Sequence, residues 1–181
     1  TALRVTPDGP VAGATLTIEW TVQNVGAGSI VPKAGSLAFY DLVHIENVTT
    51  GRTLLNFELA YDTALLPTLA PGETSPVRRY SYKLPTGIDG VGQILVLISG
   101  DDKNAIFEYK LLPESDPHLE AEQNNFTSTV ITSTAAPKAD LQVETVTPTA
   151  FSAEFGGPLT VRWNVSNQGT ASAVGAWKDS L

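Results

Sequence analysis

The sequence lacks several residue types on which common catalytic sites and cross-links depend. It has no cysteine, which excludes disulfides, thiolate nucleophiles and zinc–thiolate centres. Only two histidines are present, and the G-x-S-x-G and H-E-x-x-H motifs are both absent. We therefore expect this chain of 181 residues to contain no catalytic residue and to be no enzyme.

Methionine is absent as well, and the first residue is a threonine. We therefore expect that residue 1 is not the natural start and that the sequence is a piece of a longer protein. No apolar run approaches the roughly 18 residues that a membrane helix needs, so we expect no membrane insertion by this part of the protein.

Basic residues are scarce, because 11 Lys and Arg face 19 Asp and Glu, for a net charge of −8. A protein with this negative charge repels polyphosphates, so we expect no nucleic-acid partner. The acidity is also uneven. Residues 101–125 hold seven acidic residues against two lysines, so this window alone carries −5 of the −8.

The chain contains an internal repeat. Residues 16–29 read LTIEWTVQNVGAGS and residues 159–172 read LTVRWNVSNQGTAS, so seven of fourteen positions are identical at an offset of 143. Further along, residues 39–42 align with residues 177–180 at an offset of 138. A falling offset is what an insertion in a loop of the first copy would produce between otherwise fixed strands.

The triplet Val-Thr-Pro at residues 5–7 also recurs at residues 146–148. Small residues and proline separate the two copies, which is typical of a short interdomain linker. The sequence therefore predicts one unit over residues 1–133 with a clipped first strand, a linker over 134–138, and the N-terminal part of a second copy over 139–181.

Apolar and polar residues alternate over residues 16–23 and again over residues 159–166. A period of two means that one face of each strand is buried, which gives Trp20 and Trp163 core positions. Residues 93–98 carry apolar side chains toward both faces, as expected of a central strand. Turn residues separate the strands and no sustained helical period occurs, so we predict an all-β fold: an immunoglobulin-like antiparallel β-sandwich followed by an incomplete second copy.

Several short motifs follow one another in a fixed order along both copies. They are Ala-Asp-Leu at 139–141, N-x-G at 24–26 and 167–169, W-x-D at 177–179, L-x-P-G at 69–72, Leu-Pro at 84–85, and D-x-x-N-x-I-x-E at 101–108 with E-x-N-N at 122–125. This ordered set resembles the CARDB family, immunoglobulin-like or fibronectin III-like repeats of bacterial extracellular proteins with a presumed link to cell adhesion. Phe39 departs from the family pattern by standing where the second copy has Trp177, and the acidic insertion at 109–118 exceeds the family's usual turn.

The resemblance implies a non-catalytic repeat module of a bacterial secreted or cell-surface protein, acting as an adhesion or spacer domain. Its expected location is extracellular or at the cell surface, and its expected partners are neighbouring repeats, with a surface protein or a glycan as further partners. The alternative is a carbohydrate-binding accessory module of a secreted polysaccharide-degrading enzyme. That function requires a row of exposed aromatic side chains, for which the candidates are Tyr61, Tyr80, Tyr82 and Tyr109.

The acidic window is the one candidate for metal chemistry, because calcium takes six to eight oxygen ligands from carboxylates, Asn side chains and carbonyls. The candidate ligands are Asp101, Asp102, Asn104 and Glu108. The alternative is that Asp101 and Asn104 shape a turn through bonds to nearby backbone. We therefore expect no cofactor, with a structural Ca²⁺ as the alternative.

The second copy is expected to expose an apolar face and unpaired strand edges. From this we predict self-association, in which the second copy pairs with another chain by strand exchange or packs on the first unit.

Overall fold

The computed structural model describes residues 2–30, 38–62, 66–106, 123–149 and 155–180. Its regular structure is almost entirely β, with one short 3₁₀ turn at Ile88–Gly90. The strands are β1 Ala2–Thr6, β2 Thr15–Thr21, β3 Ala38–Asn47, β4 Arg52–Asp62, β5 Arg78–Lys83, β6 Gly92–Ser99, β7 Phe126–Ser133, β8 Leu141–Pro148 and β9 Val161–Asn167. Among the described residues, no helix is long and apolar enough to cross a membrane.

The chain divides into two compact units, Thr1–Ala135 and Ala136–Leu181, here called unit 1 and unit 2. Unit 1 contains a three-stranded sheet with the order β1-β2-β5 and a four-stranded sheet with the order β4-β3-β6-β7. All neighbouring strands within these sheets are antiparallel. The predicted antiparallel β-sandwich is therefore confirmed, and its arrangement agrees with an immunoglobulin-like fold.

The core of unit 1 lies between the two sheets and follows the predicted alternation. In β2, Leu16, Ile18 and Trp20 are buried, whereas the residues between them face outward and are partly exposed. The core position predicted for Trp20 is confirmed, because only 1% of this residue is accessible. Other fully buried apolar or aromatic strand residues are Phe39, Val43 and Ile45 of β3, Tyr61 of β4, and Ile94, Val96 and Ile98 of β6.

Strand β6 is central in its sheet, as predicted, with β3 and β7 as its neighbours. Its two faces nevertheless differ, because Ile94 and Val96 are fully buried whereas Leu95 and Leu97 are only half-buried. Ala105 and Ile106 belong to no strand, and residues 107–122 lie outside the described residues.

In unit 2 the described strands are β8 and β9, which form a two-stranded antiparallel sheet. Apolar side chains of this unit are widely exposed, because a two-stranded sheet buries little surface. They include Leu141, Val143, Val146, Leu159, Val165 and Trp177.

Candidate functional site

A buried ion pair joins the two sheets of unit 1. Asp41 lies in β3 and is 0% exposed, and its Oδ2 is 2.7 Å from Nε of Arg78, the first residue of β5. Trp20 Nε1 of β2 donates to the same carboxylate oxygen at 2.7 Å. Because β2 and β5 belong to one sheet and β3 to the other, these three side chains form a polar link through the apolar core.

The guanidinium group of Arg78 has partners on several sides. Its Nη2 donates to the carbonyl oxygens of Leu59 at 2.7 Å and Ala60 at 3.2 Å in β4. Its Cζ is 5.6 Å from the ring centroid of Trp20 and 5.2 Å from that of Tyr61, which places the cation against two aromatic rings. The charge of Arg78 is thus compensated by a carboxylate, by two carbonyl groups and by aromatic faces.

The pKa of Asp41 is raised above its ordinary value of 3.8, because burial disfavours the charged carboxylate. The charge of Arg78, the hydrogen bond from Trp20 and the backbone amide of Asp101 act in the opposite direction. Burial is thus the largest influence on this pKa, and the charge of Arg78 is the largest of those that oppose it.

The tryptophan–aspartate hydrogen bond recurs in unit 2. Trp163 Nε1 donates to Asp179 Oδ2 at 3.0 Å, which repeats the contact between Trp20 and Asp41. The predicted alignment of residues 39–42 with residues 177–180 is confirmed by this shared contact. In unit 1 the aspartate is also paired with Arg78, whereas no described residue of unit 2 forms an ion pair with Asp179.

The Asn-x-Gly turn is repeated with the same bonding in both units. Asn24 Oδ1 accepts from the amide of Gly26 at 3.0 Å, and its Nδ2 donates to the carbonyl of Gly28 at 2.7 Å. Asn167 bonds in the same way to residues two and four positions later, at 3.0 and 2.7 Å. The asparagine therefore carries the donor and the acceptor that fix this turn, which explains why both copies contain it.

Three of the four predicted metal ligands lie in one tight turn after β6. Asp101 and Asn104 both have positive φ, at 49° and 52°, a conformation in which Asp and Asn are enriched. The two carboxylate oxygens of Asp101 accept from the backbone amides of Ala105 and Ile106, each at 2.7 Å. Asp101 and Asn104 thus shape a turn, which was the alternative to a metal site.

Asp102 is exposed, and its backbone amide donates to the carbonyl of Tyr40 at 2.8 Å. Glu108 lies outside the described residues, as do the acidic insertion and His118. Within the described residues, no group of three or more His, Cys, Asp or Glu side chains is arranged to hold a metal ion. A calcium site that involves Glu108 stays a prediction.

The neighbouring residues Asp101 and Asp102 provide a variant and a matched control that test whether Asp101 stabilises the turn. Replacing Asp101 with alanine should lower the free energy of unfolding by about 1–3 kcal/mol, because one buried and one partly buried amide lose their acceptors. Asp102→Ala, at an exposed position, should change it by less than about 0.5 kcal/mol. Thermal melts of both variants in EDTA and in calcium would measure this. We expect the wild-type melting temperature to be the same in both buffers, and a rise in calcium that Asp102→Ala abolishes would contradict the turn interpretation.

Histidine and exposed carboxylates form no recognisable catalytic arrangement in the described part of the chain. His44 lies on the outer face of β3, where its Nδ1 is 2.5 Å from Asn56 Oδ1 and its Nε2 is 3.5 Å from Glu46 Oε2. No hydroxyl nucleophile is among these contacts. The prediction that this chain is not an enzyme remains a prediction.

No protein-family model matches the chain, and no curated protein matches it. The resemblance to CARDB repeats therefore also stays a prediction, carried by the ordered motifs of the sequence.

Proposed function

We propose that this chain is a non-catalytic repeat module of a bacterial secreted or cell-surface protein, in which it acts as a spacer or adhesion domain. The internal repeat supports this, because both units contain the same turn at Asn24 and Asn167 and the same bond from a tryptophan to an aspartate. Repeats of this kind extend a protein by adding like units joined by short linkers. Neighbouring repeats are then the first partners of each unit.

The observation that carries the spacer function is a parallel contact between the two ends of unit 1. Val11 forms a parallel bridge with Thr134. The amide of Ala12 donates to the carbonyl of Thr134 at 2.8 Å, and the amide of Thr134 donates to the carbonyl of Pro10 at 3.0 Å. The segment near the start of unit 1 is thus hydrogen-bonded to the residue that follows β7 at its end.

This contact has a mechanical consequence. When the two ends of unit 1 are pulled apart, parallel segments at those ends are drawn in opposite directions along their own axis. Both hydrogen bonds are then loaded together in shear, whereas an antiparallel pair pulled at one end would open one bond at a time. A unit tied in this way resists tension, which is what a spacer between a surface and a distal domain requires.

Thr134→Pro tests the spacer function, because proline removes the amide that bonds to Pro10. The matched control is Ala135→Pro, which adds a proline at the next exposed residue and leaves that amide in place. We expect the force needed to unfold unit 1 in single-molecule stretching of the full chain to fall in Thr134→Pro alone. Equilibrium stability should fall by only about 1 kcal/mol. Equal unfolding forces in the two variants would contradict a role of this contact in resisting tension.

The alternative, a carbohydrate-binding accessory module, needs aromatic faces that are free to stack on sugars. Tyr61 is only 1% exposed, and the ring of Tyr80 stacks on Phe57 with centroids 4.7 Å apart. Tyr82 is half-buried and donates to the carbonyl of Leu54 at 3.1 Å. Tyr109 lies outside the described residues. The three described tyrosine candidates are therefore engaged in contacts within unit 1, which favours the spacer over the glycan-binding module.

We expect no retention of the chain on insoluble polysaccharides and no binding on a panel of soluble glycans. Depletion from solution by cellulose, chitin and xylan would measure the first. Phe126 on β7 is 58% exposed and supplies the control. Retention that is lost in Phe126→Ala, while the fold is kept, would establish the glycan-binding alternative.

A further inference from the structure

The four-stranded sheet of unit 1 has apolar side chains on its outer face as well as in the core. Leu95 and Leu97 of the central strand β6 alternate with its buried residues, so they point away from the core, and both are half-buried. On β7, Val130 lies opposite Leu95 and is 52% exposed, and Phe126 is 58% exposed. Leu42 of β3 points the same way. We call Leu42, Leu95, Leu97, Phe126 and Val130 the apolar face.

The outer face of the three-stranded sheet is polar. Its outward-facing residues on β2 and β5 are Thr15, Thr17, Glu19, Thr21, Arg79, Ser81 and Lys83. An antiparallel sheet that meets water on one side has polar residues on that side. The three-stranded sheet follows this rule, and the four-stranded sheet departs from it. Contiguous exposed apolar residues with polar residues around them mark an interaction surface.

The size of the apolar face sets the strength of an interaction there. Four strands about 4.8 Å apart, each with about seven residues at a rise of about 3.3 Å, present roughly 450 Å². Two such faces in contact would bury roughly 900 Å², which is below the roughly 1,200 Å² at which standard specific interfaces begin. Sheets pack on sheets at about 10 Å with nearly aligned strands. The expected contact is therefore flat, weak and reversible.

The charges beside the apolar face indicate the chemistry of the partner. Glu58 of β4 is paired with Lys103, and Glu46 Oε2 of β3 is 3.5 Å from His44 Nε2. The acidic side chains that border the apolar face thus already have basic neighbours, although the whole chain carries −8. A strongly acidic or strongly basic partner would find little free charge here. A second copy of the chain presents an equally apolar centre and an equally balanced border, so it matches this face.

We propose that the apolar face is a homodimer surface, on which unit 1 of one chain binds unit 1 of a second chain. The two copies are related by a twofold axis, so each contributes the same residues. Phe126 and Val130 are its most exposed members, and they lose the most contact with water when the two sheets meet. Glu46 and Glu58 lie at the rim. This inference does not depend on the spacer function.

Sedimentation equilibrium of the full chain over a wide range of concentration tests the proposal. We expect a reversible equilibrium between monomer and dimer. Val130→Arg should raise its Kd about tenfold or more, because a charge is then removed from water between two apolar faces. The matched control is Ser81→Arg, which adds the same charge at an exposed position on the outer face of the three-stranded sheet and should leave the Kd unchanged. A chain that stays monomeric throughout, or equal dimerisation by Val130→Arg and wild type, would overturn the proposal.

A thiol probe shows which face is covered and does not introduce a charge. Because the chain has no cysteine, a single introduced cysteine reports on its own surroundings. Ser128 is exposed on β7 opposite Leu97. Ser128→Cys should react with a maleimide several-fold more slowly when the protein is concentrated than when it is dilute, whereas Ser81→Cys should react equally fast in both samples.

The thiol rates also identify other occupants. Slow reaction of Ser128→Cys even in dilute, monomeric protein would mean that another segment of the same chain covers the apolar face, and it would refute the proposal. A dimer in which Ser128→Cys stays fully reactive would have its contact elsewhere, such as in unit 2, where self-association was expected from the sequence. That result would also refute the proposal.

Discussion

Replacing Arg78 with methionine should lower the free energy of unfolding of unit 1 by about 3–5 kcal/mol at pH 7. The loss is large because it leaves the buried carboxylate of Asp41 without its cation. Two carbonyl groups of β4 lose a donor at the same time. Because small domains have only about 5–15 kcal/mol of stability, the change removes a large fraction of it. Chemical denaturation followed by circular dichroism would measure this.

A double-mutant cycle separates the ion pair from the rest of the site. Asp41→Asn alone leaves a buried guanidinium group without its carboxylate and should also cost about 3–5 kcal/mol. The double variant contains neither charge, so its loss should be smaller than the sum of the two single losses by more than about 1 kcal/mol. Losses that simply add would show that Asp41 and Arg78 do not stabilise unit 1 as a pair.

The loss in Arg78→Met should also depend on pH, with a definite sign. Burial already raises the pKa of Asp41 above its ordinary 3.8 in the folded protein, and removing Arg78 takes away the charge that opposes this. A raised folded-state pKa means that stability falls as pH rises through that pKa and is fully regained below the unfolded-state pKa. The penalty should therefore shrink between pH 7 and about pH 4. A penalty that stays constant over this range would contradict a charged Asp41 as its cause.

Asn47→Asp should be the second strongly destabilising change, and it should lower the free energy of unfolding by about 3 kcal/mol or more at pH 7. Asn47 is 0% exposed. Its Nδ2 donates to the carbonyl oxygens of Asp89 and Val91 at 2.8 Å each. Its Oδ1 accepts from the amides of Thr49 and Thr50 at 3.0 and 3.2 Å. Aspartate has nearly the same shape, but a carboxylate oxygen replaces the Nδ2 group that donates both hydrogen bonds. An acceptor then faces two carbonyl oxygens in a buried site.

The control for this change is Asn124→Asp, at an exposed position in the turn before β7, which should alter stability by less than about 0.5 kcal/mol. The new carboxyl group at position 47 should be easier to bury when protonated, so the loss in Asn47→Asp should be smaller at pH 4 than at pH 7. Denaturation curves at both pH values would measure this, and equal losses in the two variants would be the contrary result. The same burial keeps the Asn-Val-Thr sequence at 47–49 from serving as a glycosylation site in the folded unit.

Some tertiary details differ from what the repeat in the sequence indicates. The triplets at 5–7 and 146–148 match in letters, yet Leu3 lies opposite Trp20 whereas Val146 lies opposite Trp163. The position of Val146 thus corresponds to Leu3 and not to Val5. Strand register is set by pairing along the whole strand and by the register shift between Val143 and Thr145 in β8. A match of three residues in the sequence therefore does not predict the register.

The sequence by itself determined the all-β class, the alternating strands around Trp20, the repeated turns and the alignment of Asp41 with Asp179. These features depend on the period of two and on bonds between residues a few positions apart, which a sequence records directly. The structure alone decided that Tyr61 is buried and that Arg78 reaches Asp41. Arg78 of β5 and Asp41 of β3 are separated in the sequence by the whole of β4, so they give no local pattern. Only the pairing of β5 with β2 and the packing of the two sheets bring them together.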